Sequence, residues 1–118
     1  MPWTRLAIKL LILAAGVAFT AAFFINWCNL VYQCGCTFYW AGAAEHCNIH
    51  QQGVHHCPWC TNATYGGIAF GFTLFVQTFV AFWPGTAYWR NFFLTLLASP
   101  VAAVVAGIGV GLHAGYWS

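Results

Sequence analysis

Long apolar stretches alternate with polar segments along the chain, and three of them are long enough to form membrane-spanning helices. They run from about Leu6 to Trp27, from Gly66 to Trp83 and from Asn91 to Tyr116. A helix needs roughly 20 apolar residues, within a range of about 17 to 25, to cross the hydrocarbon core of a bilayer. The pattern therefore predicts an all-α integral membrane protein with three transmembrane helices and a Cys/His-rich loop between helices 1 and 2.

The same pattern divides the chain into five segments. Residues 1–27 form the amino terminus and helix 1, residues 28–65 form a loop that we call the cap, and residues 66–83 form helix 2. Residues 84–90 make a turn, and residues 91–118 form helix 3 with a short tail. The first stretch exceeds the roughly 7 to 15 apolar residues of a signal-peptide core, so we expect an anchoring helix. Lys9 lies close enough to the start of helix 1 to extend its ammonium group to the lipid headgroups.

Composition supports a chain immersed in a lipid bilayer and narrows its function. Hydrophobic residues make up 62% of the chain and charged residues 3%, whereas about a quarter of the residues of soluble domains are charged. Only Arg5, Lys9, Arg90 and Glu45 carry formal charge, so the chain offers no basic patch for nucleic acid. With a single carboxylate side chain, paired-carboxylate catalysis and a Ser-His-Asp triad within this chain are excluded.

The basic residues predict the orientation of the helices. Arg5 and Lys9 lie at the start of helix 1, Arg90 lies in the turn between helices 2 and 3, and the cap has no Lys or Arg. Positive residues concentrate on the cytoplasmic side of membrane proteins. We therefore expect a multi-pass protein with a cytoplasmic amino terminus and an extracytoplasmic cap and carboxyl terminus, in a bacterial inner membrane.

Small residues recur at four-residue spacing in all three helices. Such faces let helix backbones approach closely in lipid. Two interpretations are open: the faces pack these three helices together, or they dock on other membrane-protein subunits. The largest face, on helix 3, comprises Thr95, Ser99, Ala103, Gly107, Gly111 and Gly115, and shorter faces comprise Gly67 and Gly71 on helix 2 and Ala14, Ala18 and Ala22 on helix 1.

The cap holds all six cysteines and has no long apolar pattern that would give it a core. A segment of this size needs disulfides, a metal or both to fold. Cys34 and Cys36 form one pair, and Cys57 and Cys60 form another, which together are typical of a four-thiolate zinc site. The Cys57-Pro58-Trp59-Cys60 half resembles a knuckle of zinc-ribbon proteins, although Thr61 replaces the usual following glycine.

Histidines offer a second and separate candidate site. His46 and His50 are four residues apart, and on a helical turn they share a face that His55 or His56 can complete for zinc or copper. The alternative is that these four histidines keep an uncharged loop soluble. His113, near the outer end of helix 3, is either an axial ligand for a haem or pigment metal or a hydrogen-bonded interfacial side chain.

Disulfides are the alternative to a metal. Six cysteines in an oxidising compartment often form three disulfide bonds, and their pairing cannot be deduced from the sequence. A bridge between Cys34 and Cys36 would be strained, so these two would need different partners. A mixed solution puts four thiolates on a metal and joins Cys28 to Cys47.

A thiol exchange enzyme is a further possibility. Cys57-Pro58-Trp59-Cys60 resembles the CxxC active sites of thioredoxin-like and glutaredoxin-like proteins, in which a helix amino terminus lowers the thiol pKa. Its position just before helix 2 is similar to that in membrane disulfide-forming quinone reductases and vitamin K epoxide reductases. Those families have a four-helix core, whereas this chain has three predicted helices.

Three functional hypotheses follow from these patterns. The first is a small non-catalytic accessory subunit of a larger membrane complex, whose cap is held by a Cys/His metal site, disulfides or both. The second is a membrane thiol-disulfide oxidoreductase that uses Cys57 and Cys60. The third is a subunit that binds or delivers copper or zinc, or transfers electrons.

Overall fold

The chain is all-helical over the part that the structure describes. The computed structural model describes residues 3–118, apart from the side chains at positions 39, 43 and 44. The long helices are α1 (Trp3–Tyr32), α3 (Ala63–Ala81) and α4 (Tyr88–Ala114), and α2 is a single turn (Pro58–Thr61). Three short 3-10 turns lie in the cap, at Tyr39–Ala41, Ala43–His46 and Asn48–His50. No strand occurs within these described residues, so the predicted all-α class is confirmed.

Within residues 3–118, three helices are long and apolar enough to cross a membrane: α1, α3 and α4. Their number agrees with the prediction, but their ends differ, and α1 continues past Trp27 to Tyr32. A helix of 30 residues is about 45 Å long, which is more than the roughly 30 Å of a hydrocarbon core. α1 is therefore longer than one such span, and its last turns carry Cys28 towards the cap.

The predicted small-residue face of helix 3 lies inside the three-helix bundle. Thr95, Ser99 and Ala103 are fully buried, Gly107 and Gly111 are also buried, and Gly115 is partly buried. A Cβ at Gly107 would lie 3.1 Å from Val31 and 3.3 Å from Trp59. Of the two interpretations, packing among the chain's own helices therefore accounts for this face, which is not exposed to a partner.

The shorter small-residue faces are open. Gly67 and Gly71 are exposed, and a Cβ at either position would meet nothing within 4 Å. Ala14 and Ala18 of α1 are also exposed, and Ala22 is partly buried. These two faces do not pack the bundle as the α4 face does.

Gln77 joins the three long helices through hydrogen bonds of its side-chain amide. Its Nε2 donates to the carbonyl oxygens of Gly16 at 3.1 Å and Thr95 at 3.0 Å, and its Oε1 accepts from the Thr20 hydroxyl at 2.8 Å. The Ser99 hydroxyl lies 2.6 Å from that of Thr20. All these side chains are fully buried, so the polar groups satisfy one another where neither lipid nor water can.

Lys9 is buried, contrary to the prediction that it extends to the headgroups. Its side chain is 3% exposed, and its Nζ donates to the carbonyl oxygen of Trp83 at 3.0 Å. Asn91 donates to the same oxygen at 3.2 Å. A cation at a helix carboxyl terminus is favoured by the free carbonyls there, and this attraction holds Lys9 against the end of α3 instead of at the surface.

Candidate metal centre

Six cysteines from four parts of the chain meet at one end of the bundle. Five of them are at most 2% exposed, and Cys60 is partly exposed. Cys28 comes from the last turns of α1, Cys34 and Cys36 from the loop that follows, and Cys47 from between two 3-10 turns. Cys57 caps the amino terminus of α2, which contains Cys60. We call this set the sulfur cluster: Cys28, Cys34, Cys36, Cys47, Cys57 and Cys60.

The sulfur atoms are close enough for several of them to bind one ion. The Sγ of Cys28 lies 2.8 Å from that of Cys57 and 3.6 Å from that of Cys34. Cys36 Sγ is 3.3 Å from Cys34 Sγ and 3.6 Å from Cys60 Sγ. Among the threes of sulfurs that lie mutually within 4.8 Å are four that together include every close pair: Cys28 with Cys57 and Cys60; Cys28 with Cys34 and Cys36; Cys34 with Cys47 and Cys57; and Cys36 with Cys47 and Cys60.

Asn48 holds three parts of the cap in register around the sulfurs. The Asn48 side-chain Oδ1 accepts from the backbone N–H of Cys57 at 2.7 Å. The backbone N–H of Asn48 donates to the carbonyl oxygen of Cys34 at 2.7 Å. Its Nδ2 donates to the hydroxyl of Tyr116 at 2.8 Å, which in turn donates to the carbonyl of Tyr32 at 2.7 Å. Through its side chain and its backbone, Asn48 therefore connects the cysteine-bearing segments to the ends of α1 and α4.

Trp59 anchors the Cys57–Cys60 turn in the helical bundle. Its ring is 8% exposed and stacks on Phe24 with 4.5 Å between centroids and 3° between planes. It also meets Tyr32 edge to face at 5.7 Å. Aromatic contacts of this kind add about 0.5–1.5 kcal/mol each beyond the burial of their area. A Cβ at Gly107 of α4 would lie 3.3 Å from the Trp59 ring, so Trp59 packs between α1 and α4.

Gly35 permits the close approach of Cys34 and Cys36 to the rest of the cap. Its φ is +92°, and a Cβ at this position would lie only 2.4 Å from the carbonyl oxygen of His46. Its N–H donates to Asn29 Oδ1 at 2.8 Å. Glycine is required here both by the left-handed backbone and by the space beside His46.

The sulfur cluster is too deeply buried for all six cysteines to be bare thiolates. Burial raises the pKa of the Cys47 thiol above its ordinary value, because a thiolate loses its hydration when buried. Residues 28–65 contain no Lys or Arg that could offset several buried thiolates. The six sulfurs must therefore be protonated, oxidised or bound to a positive ion, and the cluster could hold a metal ion.

The four cysteines of the predicted metal site lie together in the structure. The two cysteines of the predicted disulfide lie in the same cluster. Cys34, Cys36, Cys57 and Cys60 all belong to the sulfur cluster, as do Cys28 and Cys47. Cys28 and Cys47, the predicted disulfide pair, share none of the four groups of three. The sequence could have indicated the position of Cys28. If helix 1 is extended beyond Trp27, Cys28 lies in its last turns, near the loop that carries Cys34.

The histidines do not join the sulfurs. Among the described residues, no group of three close metal-ligand atoms contains a histidine. His46, His50, His55 and His56 are all exposed, and His56 Nε2 pairs with the carbonyl of Gln51 at 2.8 Å. His46 and His55 line a cleft of about 600 Å³ that reaches Cys34. His113 is also exposed and meets the ring of Tyr65 at 6.0 Å between centroids.

The fold and the site define a class of chain: all-helical, with three helices able to cross a membrane and a buried cluster of six cysteines. Searches with protein-family models, curated protein sequences and solved structures gave no match to it. Its function is therefore argued from the sulfur cluster itself.

Proposed function

We propose that this chain is a non-catalytic membrane subunit whose extracytoplasmic cap binds metal through cysteine thiolates. The observation that carries the proposal is the convergence of six sulfur atoms, five of them almost fully buried, in groups of three within 4.8 Å. Thiolates are soft ligands that select soft or borderline ions such as Cu(I) and Zn²⁺. The cleft that reaches Cys34 supports exchange of this metal with the outer solution.

The distribution of charge supports the membrane orientation. The Lys9 ammonium group is bonded to the Trp83 carbonyl near the α3–α4 turn that carries Arg90. The sulfur cluster lies near the opposite ends of the same helices, where Cys28 and Tyr32 close α1. Basic residues gathered at one end favour a cytoplasmic location for that end, so the cap faces the extracytoplasmic side.

Metal binding fits the geometry better than thiol exchange does. A dithiol enzyme needs an accessible thiolate, usually with a lowered pKa, but Cys57 is fully buried. The nearest sulfur to Cys57 is that of Cys28 in α1, at 2.8 Å. A cluster that links separate segments through buried sulfurs is suited to holding the cap together around an ion.

The open faces on α1 and α3 support assembly with other membrane subunits. Gly67, Gly71, Ala14 and Ala18 leave helix backbones accessible, and close backbone approach drives helix association in lipid. A subunit of this kind would contribute its metal centre to a larger complex.

The test is the metal content of the full-length protein purified under anaerobic conditions, combined with a count of thiols after unfolding in chelator. We expect metal bound in stoichiometric amount and six thiols released. Cys47→Ser should lower the metal content, whereas Gln52→Ala, an exposed change in the same cap, should leave it unchanged. Metal-free protein with its cysteines in disulfides would refute the proposal.

A further inference from the structure

We infer that the metal is Cu(I) and that the sulfur cluster binds four ions, one in each of the four groups of three sulfurs described above. The inference rests on the proposed function and adds the identity and number of the ions. Cu(I) is a soft ion that thiolates select, and it takes three thiolates in a trigonal plane. A thiolate can also bridge two copper ions, so six cysteines can serve four trigonal sites.

The connectivity of the sulfur cluster matches such a cage. Each of the six cysteines belongs to two of the four groups, and any two groups share one cysteine. Three pairs share no group: Cys28 with Cys47, Cys34 with Cys60, and Cys36 with Cys57. Each group takes one member from each of these opposite pairs. Six sulfurs arranged in this way occupy the corners of an octahedron, and the four groups are alternate faces of it.

The same connectivity disfavours a tetrahedral zinc site. Zn–S bonds of about 2.3 Å place the four sulfurs of such a site about 3.8 Å apart, so all four would fall within the 4.8 Å that defines the groups. No group among the described residues has a fourth member. Any four of the six cysteines include at least one opposite pair, and the four that spacing suggested, Cys34, Cys36, Cys57 and Cys60, include two.

The charge of the copper cage suits its surroundings. Six thiols that bind four Cu(I) ions release six protons, and the resulting cage has a formal charge of two minus. Six bare thiolates would have three times that charge in a cap that has no Lys or Arg. Since burying uncompensated charge is costly, the four ions make ionisation of all six cysteines possible. An iron–sulfur cluster is a poorer fit, because its inorganic sulfides hold the cysteine sulfurs further apart.

The test is an anaerobic titration of the reduced full-length protein in detergent with Cu(I), in competition with the chromophoric chelator bicinchoninate. We expect the protein to retain four copper ions per chain. A plateau at one or two ions would overturn the inference, as would stoichiometric zinc that Cu(I) fails to displace. In those cases the proposed metal-binding function would still stand, whereas failure to bind either ion would refute both.

Double substitutions test the connectivity directly. Replacing the neighbouring pair Cys28 and Cys57 by serine leaves Cys36 and Cys47 beside Cys60 and Cys34, so complete threes remain, but they share two cysteines and can serve about one ion. Replacing the opposite pair Cys28 and Cys47 leaves no complete three. We therefore expect the first variant to retain about one copper ion and the second to retain none at the same chelator concentration.

The two double variants have equal numbers of cysteines, so each is the control of the other. Equal copper retention by both, with helical content by circular dichroism like that of the unmodified chain, would overturn the cage arrangement. If either variant fails to fold, the copper stoichiometry of the unmodified protein still decides the inference.

Discussion

At the scale of single residues, the site depends on small and polar side chains that bind no metal themselves. Asn48 joins the backbones of Cys34 and Cys57 and reaches Tyr116. A buried amide that loses such partners leaves unpaired polar groups, at a cost of about 1–3 kcal/mol for each group. Asn48 therefore helps to fix the positions of two cysteine-bearing segments.

Gly35→Ala should disrupt the cap. The added methyl group would lie 2.4 Å from the His46 carbonyl oxygen, at a φ of +92°, so Cys34 and Cys36 would have to move. We expect the variant to lose most of its bound metal, as measured by elemental analysis.

Gly53→Ala is the matched control for this substitution. Its φ is also positive, +80°, but a Cβ there would meet nothing within 4 Å. We expect it to retain its metal and to show only the modest strain of a left-handed alanine, about 1 kcal/mol. Equal metal loss in both variants would mean that backbone conformation, and not the contact with His46, is responsible.

At the scale of helices, the bundle is held by a polar layer around Gln77 as well as by close packing. The amide bonds α3 to both α1 and α4. Interhelical hydrogen bonds between membrane helices contribute about 0.6 kcal/mol on average and up to about 2 kcal/mol. The small residues of α4 allow this layer to form, because they bring the three backbones close enough for one side chain to reach both neighbours.

Gln77→Leu should destabilise the bundle by about 1–3 kcal/mol, since a buried acceptor and two donor contacts are lost together. The measurement is the midpoint of thermal unfolding in detergent, followed by circular dichroism. Thr78→Val is the control, because Thr78 is exposed and its hydroxyl bonds only to Leu74 of the same helix. If both variants unfold at the same temperature as the unmodified chain, the polar layer contributes no stability.

The helices could be predicted from the sequence because their signal is local. A run of apolar residues specifies a span wherever it occurs, and the three runs correspond to α1, α3 and α4. The apolar pattern did not give the end of α1, because the polar Asn29 follows the predicted span, whereas the helix continues through Tyr32. The burial of Lys9 could not be predicted either, since it depends on the distant carbonyl of Trp83.

At the scale of the whole molecule, the cap packs directly against the end of the helical bundle. The molecule extends 57 Å along its longest axis, with Trp59 wedged between the helices and the sulfur cluster beside it. Cysteine spacing identified four members of the sulfur cluster, since pairs close in sequence are close in space. Cys28 joins it because α1 continues beyond the predicted span, and Cys47 joins it through the path of the cap, which has no periodic pattern to reveal that path.

Removing the metal should loosen the cap and spare the bundle. Apart from Asn48, the buried side chains described within residues 33–57 are all cysteines, so we expect coordination to supply much of the stability of this segment. Hydrogen exchange with mass spectrometry should show faster exchange over residues 33–57 after chelation, with little change in α3. Uniform protection with and without metal would mean that hydrogen bonds alone hold the cap.

The most direct test of the central claim is an X-ray absorption spectrum of the protein with its metal bound. We expect a first coordination shell of sulfur alone, with metal–metal scattering from neighbouring ions in the sulfur cluster. Imidazole nitrogen in the first shell would contradict it, because the exposed histidines of the cap would then be the ligands.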